Sequence, residues 1–132
     1  MSQENVEIVR QSIDAFARRD INTLRVLNDP DLELDWSRSG GWLAGVYRRF
    51  DAALRFYEGL YQAFQWIAVE PDRFIDTGDF VVVPNVAQML GRDGIAVSAR
   101  SALVFEVCDG KIIRICLYQE TEEALQAVGL AE

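Results

Sequence analysis

The side chains of this sequence that could do chemistry are few in kind. With two cysteines and no histidine among 132 residues, histidine metal sites, the Ser-His-Asp triad and the Cys-His dyad are all excluded. Any reaction must rest on carboxylates, tyrosines, arginines or a bound water. Asp35, in the segment LELDW, is the first candidate. If Leu32, Leu34 and Trp36 face a core by simple alternation, Asp35 points away as a solvated strand-edge charge. If a bulge turns it inward, an isolated carboxylate among apolar side chains has its pKa raised by desolvation, which suits a base that takes a proton from carbon near neutral pH. Tyr57 and Tyr61, one helical turn apart, could donate hydrogen bonds to a substrate carbonyl, although aromatics at that spacing also build cores. Trp36 could stack on a planar ligand or simply pack. Glu70, Asp72, Asp76 and Asp79 straddle turns instead of converging, so no metal site is expected. No cofactor is expected either, and neither thiol has the basic or helix-terminal setting that activates a nucleophile.

These residues are positioned by elements that the pattern of apolar side chains predicts. Val6, Val9, Ile13, Phe16 and Ala17 recur at helical spacing behind Ser2 as N-cap. Asp20 caps a second, shorter helix carrying Ile21, Leu24 and Leu27, which Asp29-Pro30 stops. LELDW reads as a half-buried strand followed by the loop SRSGG. A third helix runs from about Asp51 to Phe64 with Leu54, Tyr57, Tyr61 and Phe64 on one stripe. The period then changes to two, and QWIAVE, RFID, FVVVPNVAQML, IAVSARSALVFEV and KIIRICLYQ read as strands of an antiparallel sheet. Thr121 caps a last short helix closed by Gly129.

The turn Cys108-Asp109-Gly110 fixes which side chains share a face. A two-residue loop places Arg114 beside Leu103, Phe105 and Val107. A three-residue loop instead aligns Ala99, Ser101, Leu103, Phe105 and Val107 with Ile113, Ile115, Leu117 and Gln119, and we adopt it because that face is almost wholly apolar. Ser101 and Gln119 are then its strong polar groups, close together at the far end of the hairpin, where they line a pocket or are satisfied by backbone. This register sets Cys116 across from Ala102 and leaves Cys108 in the turn, too far apart for a disulfide. The opposite face carries Arg100, Ala102, Val104, Glu106, Ile112, Arg114, Cys116 and Tyr118, joined by Val81, Val83, Asn85, Ala87 and Met89. It is too apolar to face water, so a second copy of the chain is expected to cover it, giving a homodimer; the tail helix or a loop is the alternative.

Composition narrows the class. One domain spanning 1–132 is expected from the length, and 50% hydrophobic residues supply a core. Thirteen basic against 21 acidic side chains give a net charge of −8, which repels phosphate backbones and argues against nucleic-acid binding. No apolar stretch is long enough to span a membrane, and the polar start MSQENVEIVR is unlike a signal peptide, so a cytoplasmic protein is expected.

The helical hairpin, the segments MSQENVEIVR, DPDLELDWSRSG, AGVYR and EEALQAVGL, and the CDGKIIR turn together resemble the SnoaL-like, polyketide cyclase-like group of the nuclear transport factor 2-like superfamily. The resemblance implies an α+β fold in which a cone-shaped curved sheet is closed by the hairpin and the third helix around an apolar pocket. It implies a small hydrophobic, cyclic ketone-like ligand, with cofactor-free isomerase or cyclase chemistry by proton transfer; a non-catalytic ligand-binding or assembly domain is the alternative from another class. By likeness to ketosteroid isomerase, the base falls at Asp35, while the hydrogen-bond donors fall near Ser12 and Leu103, where the expected side chains are missing. Arg49 stands where the family usually has glycine after GVYR. Trp36, Tyr57, Tyr61, Ser101, Leu103 and Gln119 are the residues expected around the ligand.

Overall fold

Asp20 marks where the chain first reverses. Helix α1 (Ser2–Arg18) buries Val9, Ile13 and Ala15. Arg19 then turns left-handed at φ 60, and the Asp20 amide donates back to the Ala15 carbonyl at 2.9 Å. The Asp20 carboxylate accepts from the Thr23 amide at 3.1 Å and from its hydroxyl at 2.7 Å, which starts α2 (Ile21–Leu27) as the sequence predicts. The structure is a computed structural model describing residues 2–130, and the capping expected of the Ser2 side chain lies outside the described residues. Arg19 pins this hairpin to the rest of the fold, its guanidinium donating to the carbonyls of Tyr61, Phe64 and Gln65 at 2.8–3.2 Å.

Strand β1 (Asn28–Asp35) follows, then β2 (Val46–Arg48), helix α3 (Phe50–Ala63), β3 (Phe64–Pro71), β4 (Ile75–Asp76), β5 (Phe80–Gly91), β6 (Ala96–Cys108), β7 (Lys111–Tyr118) and α4 (Thr121–Ala127). The sheet is ordered β2-β1-β7-β6-β5-β3, with β4 on β5. The fold is thus mixed α+β, a curved open sheet with α1, α2 and α3 on its concave side and α4 on its convex side. The strands after α3 pair antiparallel as expected, while β1 lies parallel to β7, because the meander returns its last strand beside the first in the same direction. Helix α4 has Glu120, not Thr121, at its N-cap, with no side-chain cap. Its end follows the prediction, Gly129 taking φ 84 and donating to the Gln126 carbonyl.

Two turns set the faces. Arg92-Asp93-Gly94 makes a three-residue turn in which the Gly91 amide donates to the Ile95 carbonyl at 2.8 Å and Gly94 takes φ 89. Val83 therefore pairs with Leu103, Asn85 with Ser101 and Met89 with Val97. Val81, Val83, Asn85, Ala87 and Met89 thus lie on the concave face with Leu103 and Phe105, which corrects their expected place on the convex one. At the other hairpin Cys108 pairs with Lys111 across Asp109-Gly110, both at positive φ, so the loop has two residues. A bulge then restores the parity of the three-residue alternative: Val107 pairs with Ile112 but Glu106 with Arg114, leaving Ile113 extra. Leu103, Phe105, Ile115 and Leu117 share a face as expected, but the pairs are shifted by two residues: Phe105 faces Ile115, Leu103 faces Leu117 and Cys116 lies across from Val104 instead of Ala102, while Ile112 joins the inner core. Both cysteines are free thiols.

The main core lies between the concave face and the three helices, around Leu24, Leu32, Leu34, Phe56, Val81, Val83 and Ile112. On the convex side a smaller cluster of Val82, Ala102, Val104, Cys116 and Tyr118 packs under Ala124 of α4, with Leu125 and Val128 beside it. The tail helix therefore covers that stretch of the convex face. Beyond its reach Trp66, paired with Leu90, remains 49% exposed.

Candidate functional site

Alternation along β1 sends Leu34 to the concave side and Asp35 to the convex side. Leu34 pairs with Ile115 and Asp35 with Cys116. Asp35 is the outward alternative of the sequence reading, yet it is not solvated: it is only 8% exposed. Its Oδ1 accepts from the Ser37 hydroxyl at 2.6 Å and the Ser37 amide at 3.0 Å, and its Oδ2 lies 3.4 Å from both Arg38 and Arg114. Burial pushes the carboxyl up, but the Ser37 donors and the two guanidiniums outweigh it and hold it below the usual aspartate range. That is the opposite of the shift a carbon-acid base needs, and the carboxylate faces away from the concave side. The inward, raised-pKa alternative is not the one the structure shows at Asp35.

The concave face instead borders two neighbouring hollows. A recess of about 60 Å³ is lined by Ser12 and Ile13 of α1, Leu34, Tyr57 of α3, Leu103, Phe105 and Ile115, with Phe16, Trp36 and Val69 at its side. Phe16, Trp36 and Val69 also border a larger cavity of about 450 Å³ that opens toward the loop between β1 and β2. Its walls include Leu60, Ile67, Ala87, Met89, Ala99 and Leu117, and its polar groups are Asn85, Ser101 and Gln119, with Ser39 on the loop. Among the described residues, Arg100 is the one charged residue bordering either hollow, and its guanidinium is paired with Asp72 at 3.1 Å. No carboxylate is among the lining residues.

Of the residues expected around a ligand, Trp36, Ser101, Leu103, Gln119 and Tyr57 border these hollows and Tyr61 does not. Trp36 packs on Phe56 with ring centroids 5.0 Å apart and presents its other side to the cavity. The Tyr61 hydroxyl donates to the Phe16 carbonyl at 2.7 Å, and its ring lies beside Arg19 on the outer side of α3. It ties two helices together. Gln119 donates to the Arg38 carbonyl at 2.7 Å, which holds the base of the β1–β2 loop. At the tip of that loop Trp42 stands 72% exposed on the cavity rim.

Asn85 was missed. It is 1% exposed, and its amide donates to the Val83 carbonyl at 3.0 Å and to Ser101, backbone and hydroxyl, at 3.4 Å. An asparagine inside the apolar run FVVVPNVAQML was the available signal, because a buried amide needs partners. The wrong parity at the Arg92–Gly94 turn hid it.

A still larger hollow, about 660 Å³, lies at the opposite end of the molecule between the start of α1 and the β6–β7 turn. Its walls carry Glu4, Asp79, Glu106 and Asp109, so it is a surface groove that disfavours anions. Among the described residues, no three His, Cys, Asp or Glu side chains converge as a metal site would require.

A family model described as a SnoaL-like domain matches residues 9–115. No curated protein matches the chain. Among solved structures, a protein of the NTF2-like fold and unknown function from Burkholderia pseudomallei K96243 superposes with a TM-score of 0.79 at 23% identity, over 98% of this chain and 99% of that one. A protein of Jannaschia sp. CCS1, classed provisionally as a SnoaL-like polyketide cyclase, gives 0.75 at 18% identity over 100% and 96% of the two chains. TerC, crystallised with polyporic acid, gives 0.78 at 22% identity over 93% and 96%.

Proposed function

The chain belongs to the SnoaL-like domain family, and we propose that it binds a small, mostly hydrophobic ring compound in the cavity between α3 and the concave face. The observation that carries this reading is the composition of the walls: about 450 Å³ bounded by apolar side chains, with an amide–hydroxyl cluster of Asn85, Ser101 and Gln119 on one side. That is the size and make-up of a small-molecule site, in which apolar contact supplies affinity and a few fixed polar groups supply orientation. Because no carboxylate borders the cavity and Asp35 is ion-paired on the other face, the reading is of a binding domain, and proton transfer from carbon is not assigned to it. The co-crystallised acid of TerC is an instance of a small ligand held on this fold.

The test is isothermal titration with 2-naphthol, comparing the parent with Ala87→Phe, which fills the cavity from β5. Saturable binding at one site that is lost in the folded variant supports the reading; no binding to the parent, or equal binding to both, overturns it.

We also propose that a second copy pairs with the convex face beyond α4, where Trp66 and Leu90 lie side by side. Sedimentation of the parent as a dimer and of Trp66→Glu as a monomer is the expected result. Two free thiols fit a reducing compartment, and the cytoplasm is where we place it. Among the described residues, no helix is long and apolar enough to cross a membrane.

A further inference from the structure

The loop between β1 and β2 is fastened at both legs and loose at its tip. On one leg the Arg38 carbonyl accepts from Gln119 at 2.7 Å, and the Arg38 guanidinium lies against Asp35, Cys116 and the Tyr118 ring. On the other, the Tyr47 hydroxyl donates to the Leu43 carbonyl at 2.6 Å, and the Leu43 side chain packs against Gly59 of α3. The Trp36 amide closes the neck on the Gly45 carbonyl at 2.7 Å. Between the legs, Trp42 has no hydrogen bond or ring contact among the described residues. It borders the cavity, yet its indole stands in water and forgoes one of the largest apolar burials a side chain can provide. Gly40 and Gly41 precede it. The loop as it stands needs neither glycine: neither has a positive φ, and a Cβ on either would meet no atom within 4 Å. Glycine raises the entropy lost when a loop orders, so a pair with no use in this conformation points to a second one that glycine allows. Residues that absorb backbone rotation in this way are the hinges of lids.

We propose that Trp42 is a flap: turning on Gly40-Gly41, its indole folds over the mouth of the cavity and stacks on the outer side of the bound ring. The inference rests on the cavity-binding reading and adds to it how the site is sealed and which ring it prefers. A compound seated in the open cavity leaves one side to water. The flap removes that side and the indole from water together, so closing is favoured only when ligand is present, and the tip stays open without it. The bonds at Arg38, Leu43 and Gly45 lie to either side of the turning residues and are kept. The bond given up lies inside the tip, from the Ala44 amide to the Gly41 carbonyl at 3.2 Å. Because an indole stacks best on a flat ring, the flap favours a planar aromatic ligand over a puckered one of similar size.

The experiment is fluorine NMR of the chain labelled with 5-fluorotryptophan, which gives one signal for each of its 3 tryptophans, with Trp42→Phe assigning the signal of Trp42. The change in shift between light and heavy water reads contact with solvent. Without ligand the Trp42 signal should show the largest change, and at saturation with 2-naphthol it should lose it while the Trp66 signal keeps its own. By calorimetry, Trp42→Ala should weaken 2-naphthol about tenfold and its saturated counterpart, 2-decalol, by less. The double variant Gly40→Ala, Gly41→Ala should weaken 2-naphthol about three- to tenfold, since alanine resists the conformations glycine allows, and should keep or raise the thermal midpoint, since the open loop has room for both methyl groups. If 2-naphthol binds but the Trp42 signal keeps its solvent dependence, or if either the Trp42→Ala or the double variant binds it as the parent does, the flap is overturned while the cavity reading stands. Equal weakening of the two alcohols by Trp42→Ala overturns the stacking, and a lowered midpoint in the double variant overturns the hinge. If 2-naphthol does not bind the parent, the cavity reading fails and the flap with it.

Discussion

The Oδ2 of Asp35 and a terminal guanidinium nitrogen of Arg114 lie 3.4 Å apart across the parallel junction of β1 and β7, on the face of the sheet turned away from the cavity. Arg114 also holds Glu33 at 3.1 Å, and Arg38 closes on Asp35 from the loop side while its guanidinium sits 4.6 Å over the Tyr118 ring. This network fastens the first strand to the last. Its work is structural, and it adds to the Ser37 hydroxyl and amide in holding the Asp35 carboxyl below the usual aspartate range.

Asp35→Asn should therefore destabilise the fold by about 1–2 kcal/mol at neutral pH and leave binding of 2-naphthol intact. The carboxyl is held below its ordinary value near 3.9, so its contribution is complete above that pH and is lost as pH falls through the lower folded value. The gap in denaturant stability between parent and variant should be widest at neutral pH and close in acid. A gap independent of pH, or loss of ligand binding in the folded variant, would contradict this account.

Arg49 presents a strain that glycine would relieve. It adopts φ 77, ψ 149 ahead of α3, with no side-chain cap, in a region that is costly for any residue with a Cβ. Its amide is nevertheless fixed by a 2.7 Å bond to the Leu32 carbonyl, and its side chain contributes a long, exposed pair with Asp31 at 3.7 Å. Arg49→Gly should raise stability by about 1 kcal/mol, read as a higher urea midpoint with an unchanged slope. A lower midpoint would show that the exposed pair outweighs the backbone.

Tyr57 and Tyr61 should respond oppositely to loss of the hydroxyl. Tyr61→Phe removes a 2.7 Å bond to the Phe16 carbonyl and should cost about 1 kcal/mol. Tyr57→Phe removes a group with no partner and should cost nothing or stabilise. Burial pushes Tyr61 up to about 12, so the unfolded chain ionises first and stability should drain away between about pH 10 and 12, less steeply in Tyr61→Phe. Thermal melts of both variants across that range give the answer; equal destabilisation by the two would refute the assignment.

The helices were legible because each is short, amphipathic and bounded by a local signal, as Asp20 and Gly129 illustrate. The β6–β7 face was legible through its apolar parity, even though the turn and the bulge that produce it compensate each other invisibly. The β5–β6 register was not: one residue at Arg92-Asp93-Gly94 moves Asn85 from one side of the sheet to the other, and Val81, Val83, Ala87 and Met89 suit either side by hydropathy. The direction of Asp35 followed from alternation, whereas its burial did not, because Arg38 and Arg114 reach it from a loop and from a strand 79 residues away in sequence. The hollow was expected over Leu103, Phe105, Ile115 and Leu117. Side chains nearly fill it at the first three, and the space opens instead beside Leu117 toward Ser101 and Met89.

Met89 lies in the cavity wall, so methyl-labelled methionine reports on the site directly. Titrated with 2,6-dihydroxynaphthalene, the Met89 methyl should move saturably, and Ala87→Phe should abolish the movement. If the Met89 methyl does not move, or drifts in proportion to added compound without saturating, the cavity is not a binding site and the central claim is contradicted.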